Sequence, residues 1–230
     1  MKKIKIYGDS ILKGVTYNEE LKRYKLCGYR FDELSQNGID VENNSKMGAT
    51  IDKGFEILKA TLDDCDENTV VVMEYGGNDC NFNWSDVSDD PNGSFECATP
   101  EERFTETYLE AIKYARSKGA KVAVCTLVPI DSERFMNWVS RGLNYNNILD
   151  WLGDVNMIAR WQEYYSRLSE KVAQLADCPI LDLRSIFLKN RELRNMIGED
   201  GMHPSPEGHK LIRDTFQSLF LNTSSLASAT

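Results

Sequence analysis

The chain has 230 residues, enough to bury a substantial core as one α/β domain. Its 36 acidic against 27 basic side chains leave a net charge of −9, which excludes a duplex-wrapping surface built from clustered Lys and Arg. No window approaches a membrane span, and residues 1–7 fall short of a signal peptide's apolar region. The six scattered cysteines form no Cys-x-x-Cys pair; they read as reduced thiols of a cytoplasmic protein, a secreted one being the alternative if a leader was removed.

Strand-like runs occupy residues 3–7, 39–43, 70–75, 121–128 and 179–183. The first runs into Gly8-Asp9-Ser10, which is either an ordinary turn or a serine presented at a strand end. Asp9 is expected to hold that turn. The second run is followed by Gly48, which either presents a backbone N–H without side-chain obstruction or makes a turn. The third closes on Glu74-Tyr75-Gly76-Gly77-Asn78-Asp79, where two glycines deliver an amide donor, Asn78, to the strand's carboxyl end.

Two excursions, 79–99 and 131–154, exceed ordinary loop length and follow strands, so both are expected over the same sheet edge as candidate walls of a pocket. Their aromatic residues, Trp84 and Trp138 among them, either stack on a sugar, cover an acyl chain, or pack the loops on their own scaffold. A helix is expected over 155–176, where Ile158, Trp161, Tyr165, Leu168, Val172 and Leu175 recur at steps of three and four. Ser205 before Pro206 reads as the cap of a last helix, buried through Leu211, Ile212, Phe216 and Leu219. Just before it, Asp200 is placed to turn back through Gly201 and hydrogen-bond the imidazole of His203. His209 reads as a helix-start residue or a partner of nearby backbone, and residues 222–230 as a fraying tail.

Strands alternating with helices imply right-handed crossovers and a mostly parallel sheet covered on both faces. The expected fold is a three-layer α/β/α, flavodoxin-like domain over residues 1–221, with five strands in the order 2-1-3-4-5. Ser10 then lies beside the topological switch point, where such sheets bind ligands.

The motif inventory excludes other chemistries. Only two histidines are present, and neither a nucleotide-triphosphate loop nor a dinucleotide fingerprint occurs. Residues 86–93 alternate oxygens as a calcium loop does, but Pro91 and the missing closing Glu oppose that reading. Neither metal nor cofactor is expected. Gly-x-Ser-x-Gly is absent, since Leu12 stands where its second glycine belongs.

Gly-Asp-Ser after the first strand, Gly48 after the second, Gly-Gly-Asn-Asp after the third and Asp-x-x-His-Pro before the last helix occur in order. This set resembles the SGNH hydrolases, the GDSL-like esterase and lipase family, from first strand to last helix, with Ile11 replacing the name-giving leucine. The resemblance implies a nucleophile at Ser10, a base at His203 and its orienting acid at Asp200. It also implies an oxyanion hole from the Ser10 and Gly48 backbone N–H groups and the Asn78 amide. The expected activity is metal-free ester hydrolysis through an acyl-enzyme, on a short acetyl ester of a carbohydrate or other small molecule, with Trp84 and Trp138 touching substrate. The rivals are a lysophospholipase or acyl-thioesterase, and a carbohydrate-binding protein on the same scaffold without turnover. The partner implied is a small-molecule ester; nothing in the sequence speaks to self-association.

Overall fold

The computed structural model describes residues 2–28 and 32–221. Its five-stranded sheet consists of β1 (Lys2–Gly8), β4 (Ile39–Asn43), β5 (Thr69–Glu74), β6 (Lys121–Cys125) and β7 (Ile180–Leu181), in the order β4-β1-β5-β6-β7 and parallel throughout. This is the expected 2-1-3-4-5 order. The numbering differs because the chain inserts an antiparallel hairpin, β2 (Val15–Asn18) and β3 (Arg23–Leu26), that the sequence reading does not contain.

Side chains alternate across the pleat and divide the core into two layers. Val71, Met73, Val122 and Val124 point to one side, against α3 (Ile51–Thr61), α5 (Glu101–Ser117) and α8 (Met157–Leu175). Ile4, Ile6, Val72, Ala123 and Cys125 point to the other. There they meet α1 (Ser10–Lys13), α2 (Asp32–Gln36), α9 (Leu183–Leu188) and α11 (Pro206–Leu221). The last strand is shorter than expected because Asp182 turns to accept the Ser185 N–H at 3.0 Å, starting α9. Leu175 is exposed rather than buried, since Ser166, Ser169 and Ala173 rotate the buried face of α8 away from it.

The two long excursions fold into α4 (Trp84–Asp89), α6 (Ser132–Val139) and α7 (Tyr145–Leu152), leaving α10 (Leu193–Met196) as a short turn before the last helix. They lock onto each other. Asn144 N–H donates to Ser88 Oγ at 2.8 Å, and Val87, Met136 and Ile148 are buried together. Among the described residues no helix is long and apolar enough to cross a membrane. The expectation for residues 222–230 lies outside the described residues.

Ser205 caps α11, its Oγ accepting the Gly208 N–H at 3.2 Å, and His209 on the first turn faces inward. His209 Nε2–H donates to the Val15 carbonyl at 2.8 Å, tying the helix to the start of the hairpin. Burial pulls its pKa from 6.5 down to about 4. Between those values the unfolded chain takes up a proton here that the folded chain refuses. The stability tied to neutral His209 is therefore complete above pH 6.5 and is lost toward pH 4. The loss amounts to roughly 3 kcal/mol. Asp79, raised by burial to about 7, acts oppositely, since its neutral form is lost as pH rises, so the test compares variant with wild type. Urea unfolding should show His209→Gln losing less stability than wild type between about pH 7 and pH 4.5; equal losses would contradict the assignment.

Candidate active site

Ser10 reaches the sheet edge through a short local device. Strand β1 ends at Gly8, Asp9 accepts the Ile11 N–H on Oδ1 at 2.8 Å, and this cap starts α1 with Ser10 as its first residue. Ser10 Oγ lies 2.9 Å from His203 Nε2, and His203 Nδ1 lies 2.6 Å from Asp200 Oδ2. All three side chains are buried. Asp200 Oδ1 also accepts the backbone N–H groups of Met202 and His203, at 3.1 and 3.0 Å. Burial alone would raise the Asp200 carboxyl, but the bonds from His203 and Met202 outweigh it and hold the pKa below the usual carboxylate range. An ionised Asp200 requires the proton on Nδ1, which leaves Nε2 to accept the Ser10 hydroxyl.

The loop carrying this pair is pinned on both sides. Gly198 N–H donates to His203 O at 2.8 Å, and the Arg134 guanidinium donates to the carbonyls of Arg194 and Ile197 at 2.8 and 2.7 Å. Between acid and base, Gly201 has φ +73°, and its carbonyl accepts Asp131 N–H at 2.8 Å. A Cβ there would stand 2.3 Å from Phe135 N and 2.5 Å from Asp131 O.

Asn78 arrives from the end of β5. Its Nδ2 donates to Asp9 Oδ2 at 2.9 Å and to the Ala49 carbonyl at 3.2 Å. Gly48, with φ +74°, sits on the loop after β4 that Lys46 N–H anchors to Gly8 O at 2.9 Å. The space where a Cβ would stand on Gly48 is open to 4 Å, and Gly48 and Asn78 line one groove. The structure thus gathers Ser10, Asn78, Asp200 and His203 at one edge, with Gly48 beside Asn78. Asp9 holds the turn as expected and in addition grips Asn78.

Beside Ser10 opens a cavity of about 470 Å³ walled in part by the two excursions and in part by α8 and the ends of β1, β5 and β6, with Phe82, Trp84, Phe95, Phe135, Trp151 and Trp161 among its lining. Trp161 therefore packs and lines the cavity at once. The structure separates the two tryptophans expected at substrate. Trp84 lines the cavity, whereas Trp138 stacks edge-on against Tyr17 at 4.5 Å and lies under the Arg141 guanidinium at 3.8 Å. Trp138 faces the hairpin, whose absence from the sequence reading is why it was expected elsewhere. Tyr24 of the same hairpin lies 4.9 Å from the His203 ring, and burial and the Asp200 charge push its phenol up, so it covers the base as a neutral group. Tyr17 and Tyr24, facing each other across β2 and β3, are the signal that could have revealed this cover.

Gly201→Ala forces a side chain onto the α6 backbone and should lower unfolding free energy by about 1–3 kcal/mol while displacing His203. Urea unfolding alongside ester hydrolysis measures both, and wild-type values for the two would contradict this packing.

A family model described as the GDSL-like lipase/acylhydrolase family matches residues 6–211. Among solved structures, a lipase/acylhydrolase from Enterococcus faecalis is similar with a TM-score of 0.63 and 19% identity, over 95% of this chain and 94% of that one. An acetylxylan esterase from Geobacillus stearothermophilus gives 0.62 and 17%, over 94% and 93%. A member of the lipolytic protein G-D-S-L family from Veillonella parvula gives 0.63 and 14%, over 96% and 100%. No curated protein matches. With the family model spanning nearly all of the sheet and both ends of the Ser10–His203 pair, the chain belongs to the GDSL-like lipase/acylhydrolase family and is an ester hydrolase of that family.

Proposed function

We propose that this enzyme hydrolyses small uncharged carboxylic esters through an acyl-serine intermediate on Ser10. The observation that carries the reading is the unbroken buried chain Asp200–His203–Ser10, at 2.6 and 2.9 Å, opening on the cavity. His203 Nε2 takes the Ser10 proton as Oγ attacks the ester carbonyl, and Asp200 stabilises the imidazolium. The carbonyl electron pair moves onto oxygen, held by the Ser10 and Gly48 N–H groups and the Asn78 amide. The longer Asn78 bond, to Ala49 O, is the one exchanged for the oxyanion. His203 then protonates the departing alcohol, and water attacks the acyl-serine with the same imidazole as base, releasing the acid.

The cavity supports an apolar acyl group as its occupant. Most polar side-chain groups around it already have partners inside the protein. Trp161 Nε1–H donates to Cys80 O, Trp151 Nε1–H to Gly93 O and Trp84 Nε1–H to Asn81 Oδ1. Gln162 is engaged at both ends, by Val128 O and Arg184, and the Tyr165 hydroxyl donates to Thr99 O. A sugar placed there would leave hydroxyls unsatisfied, at about 1–3 kcal/mol each. A groove lined by Gly48, Thr50, Asn81, Asn83 and Glu96 together with Phe82 and Ala98 meets the cavity at Asn78, and its side-chain amides and hydroxyl suit a hydroxylated alcohol. Glu96 and Glu101 at the cavity oppose phosphate-bearing substrates such as lysophospholipids and acyl-CoA thioesters. A short acetyl group on a sugar is the second reading. It is favoured by the amide and hydroxyl groups of that groove and by the acetylxylan esterase named among the similar structures.

Aryl esters of increasing acyl length separate the two readings. The first expects kcat/KM to rise from acetyl toward medium chains, and the second expects a maximum at acetyl, with acetylated sugars the better substrates. Lysophospholipid and acyl-CoA should be poor in either case. Ser10→Ala should abolish all of these activities, and Asn78→Ala should lower kcat by about a hundred- to a thousandfold. Full hydrolysis by Ser10→Ala would defeat the mechanism, as would loss of wild-type activity on exhaustive chelation.

A further inference from the structure

Beneath Ser10 lie two carboxyls that the steps above do not use. Asp9 and Glu74 are only 2% and 1% exposed. They meet where Gly8 pairs with Glu74 in the β1–β5 register, and a Cβ on Gly8 would stand 3.4 Å from Glu74 Oε2. The two carboxyls are neighbours in the protein interior, and a buried pair of like charges is relieved when one member keeps its proton. Asp9 has donors on both oxygens, Ile11 N–H on Oδ1 and Asn78 Nδ2–H on Oδ2. No N–H or hydroxyl among the described residues reaches Glu74 Oε2. A buried carboxylate with two donors retains its charge, and a buried carboxyl without them retains its proton.

We propose that Glu74 is a positioning residue for Asn78: carrying the proton of the pair, it donates to Asp9, and Asp9 so fixed holds the Asn78 amide where its other hydrogen meets the developing oxyanion. A side-chain amide turns freely about its last torsion unless a partner fixes it, and here that partner is a carboxylate gripped from three directions. Burial and then the Asp9 charge push Glu74 well above the usual carboxylate range. Burial raises Asp9 as well, but less far than Glu74, because the Ile11 bond and the nearby His203 pull against it. The remaining groups around Glu74 are Asp79, Tyr75, Tyr108 and Cys125, all of which burial pushes toward their neutral forms.

The inference rests on the reading of Asn78 as an oxyanion donor, and steady-state kinetics on one aryl ester test the two separately. Glu74→Leu, which keeps the volume and removes the donor, should lower kcat at least about tenfold with KM within about twofold. Glu74→Gln, whose amide can donate to Asp9, should recover most of kcat. In the Asn78→Ala background, Glu74→Leu should add little, because the amide it positions is gone. Wild-type kcat in Glu74→Leu, or losses that multiply in the double variant, would overturn the role of Glu74 while leaving that of Asn78 intact. A silent Asn78→Ala would overturn both. Should Glu74→Leu not fold, a folded Glu74→Gln that loses more than about tenfold in kcat overturns the inference by itself.

Discussion

Everything at this site depends on the parallel pairing of β1 with β5, in which Gly8 stands opposite Glu74. Parallel strands bring their carboxyl ends to one edge, and the chain must then leave each strand over the same ground. Gly8 allows the two backbones to close, Asp9 turns the chain into α1, and Ser10 is left at the rim with Asn78 delivered from the neighbouring strand. The loop after β4 adds Gly48 at the same edge through its bond to Gly8 O. Only Asp200 and His203 come from elsewhere, from a loop that Arg134 and Gly201 fasten to α6.

The same edge concentrates acidic groups that water does not reach. Asp9, Glu74, Asp79 and Asp200 are each at most 2% exposed, a costly arrangement unless each has its own means of settlement. Asp200 settles by accepting three hydrogen bonds and Asp9 by accepting from Ile11 and Asn78, whereas Asp79 accepts the Ile51 N–H that begins α3 but leaves Oδ2 without a partner and is pushed by burial toward its neutral form. Glu74, with no donor to its Oε2, is pushed by burial and the Asp9 charge toward holding a proton. The split between ionised and neutral carboxyls thus follows the donors each one finds: the backbone N–H groups of Ile11, Met202 and His203, the Asn78 amide and the His203 imidazole.

Much of this was legible in the sequence because a parallel sheet writes itself as apolar runs, and two of them, β1 and β5, stop at glycines that lead into Ser10 and Asn78. The sheet order and the convergence of Ser10, Asn78, Asp200 and His203 follow from those stops together with the family resemblance. The hairpin did not announce itself: Arg23-Tyr24-Lys25-Leu26 is largely exposed, and its charges read as solvated surface. Trp138 was misplaced for that reason, since its partners Tyr17 and Tyr24 belong to the hairpin. Glu74 was equally silent, because a glutamate ending a strand is ordinarily hydrated, and only the pairing of β1 with β5 shows it buried. The cavity's apolar character depended on which indole and amide groups find internal partners, and that is a tertiary property.

The central claim is that Ser10 forms the covalent bond to the acyl group, and a fluorophosphonate ester tests it most directly, since the active serine oxygen displaces fluoride and keeps the phosphonyl group. Intact-mass and peptide analysis should find one adduct per chain, on Ser10, growing in step with loss of hydrolysis, and none on His203→Ala under the same conditions. Activity lost with the adduct on another residue, or an active enzyme that hydrolyses esters while Ser10 stays unlabelled, would contradict it.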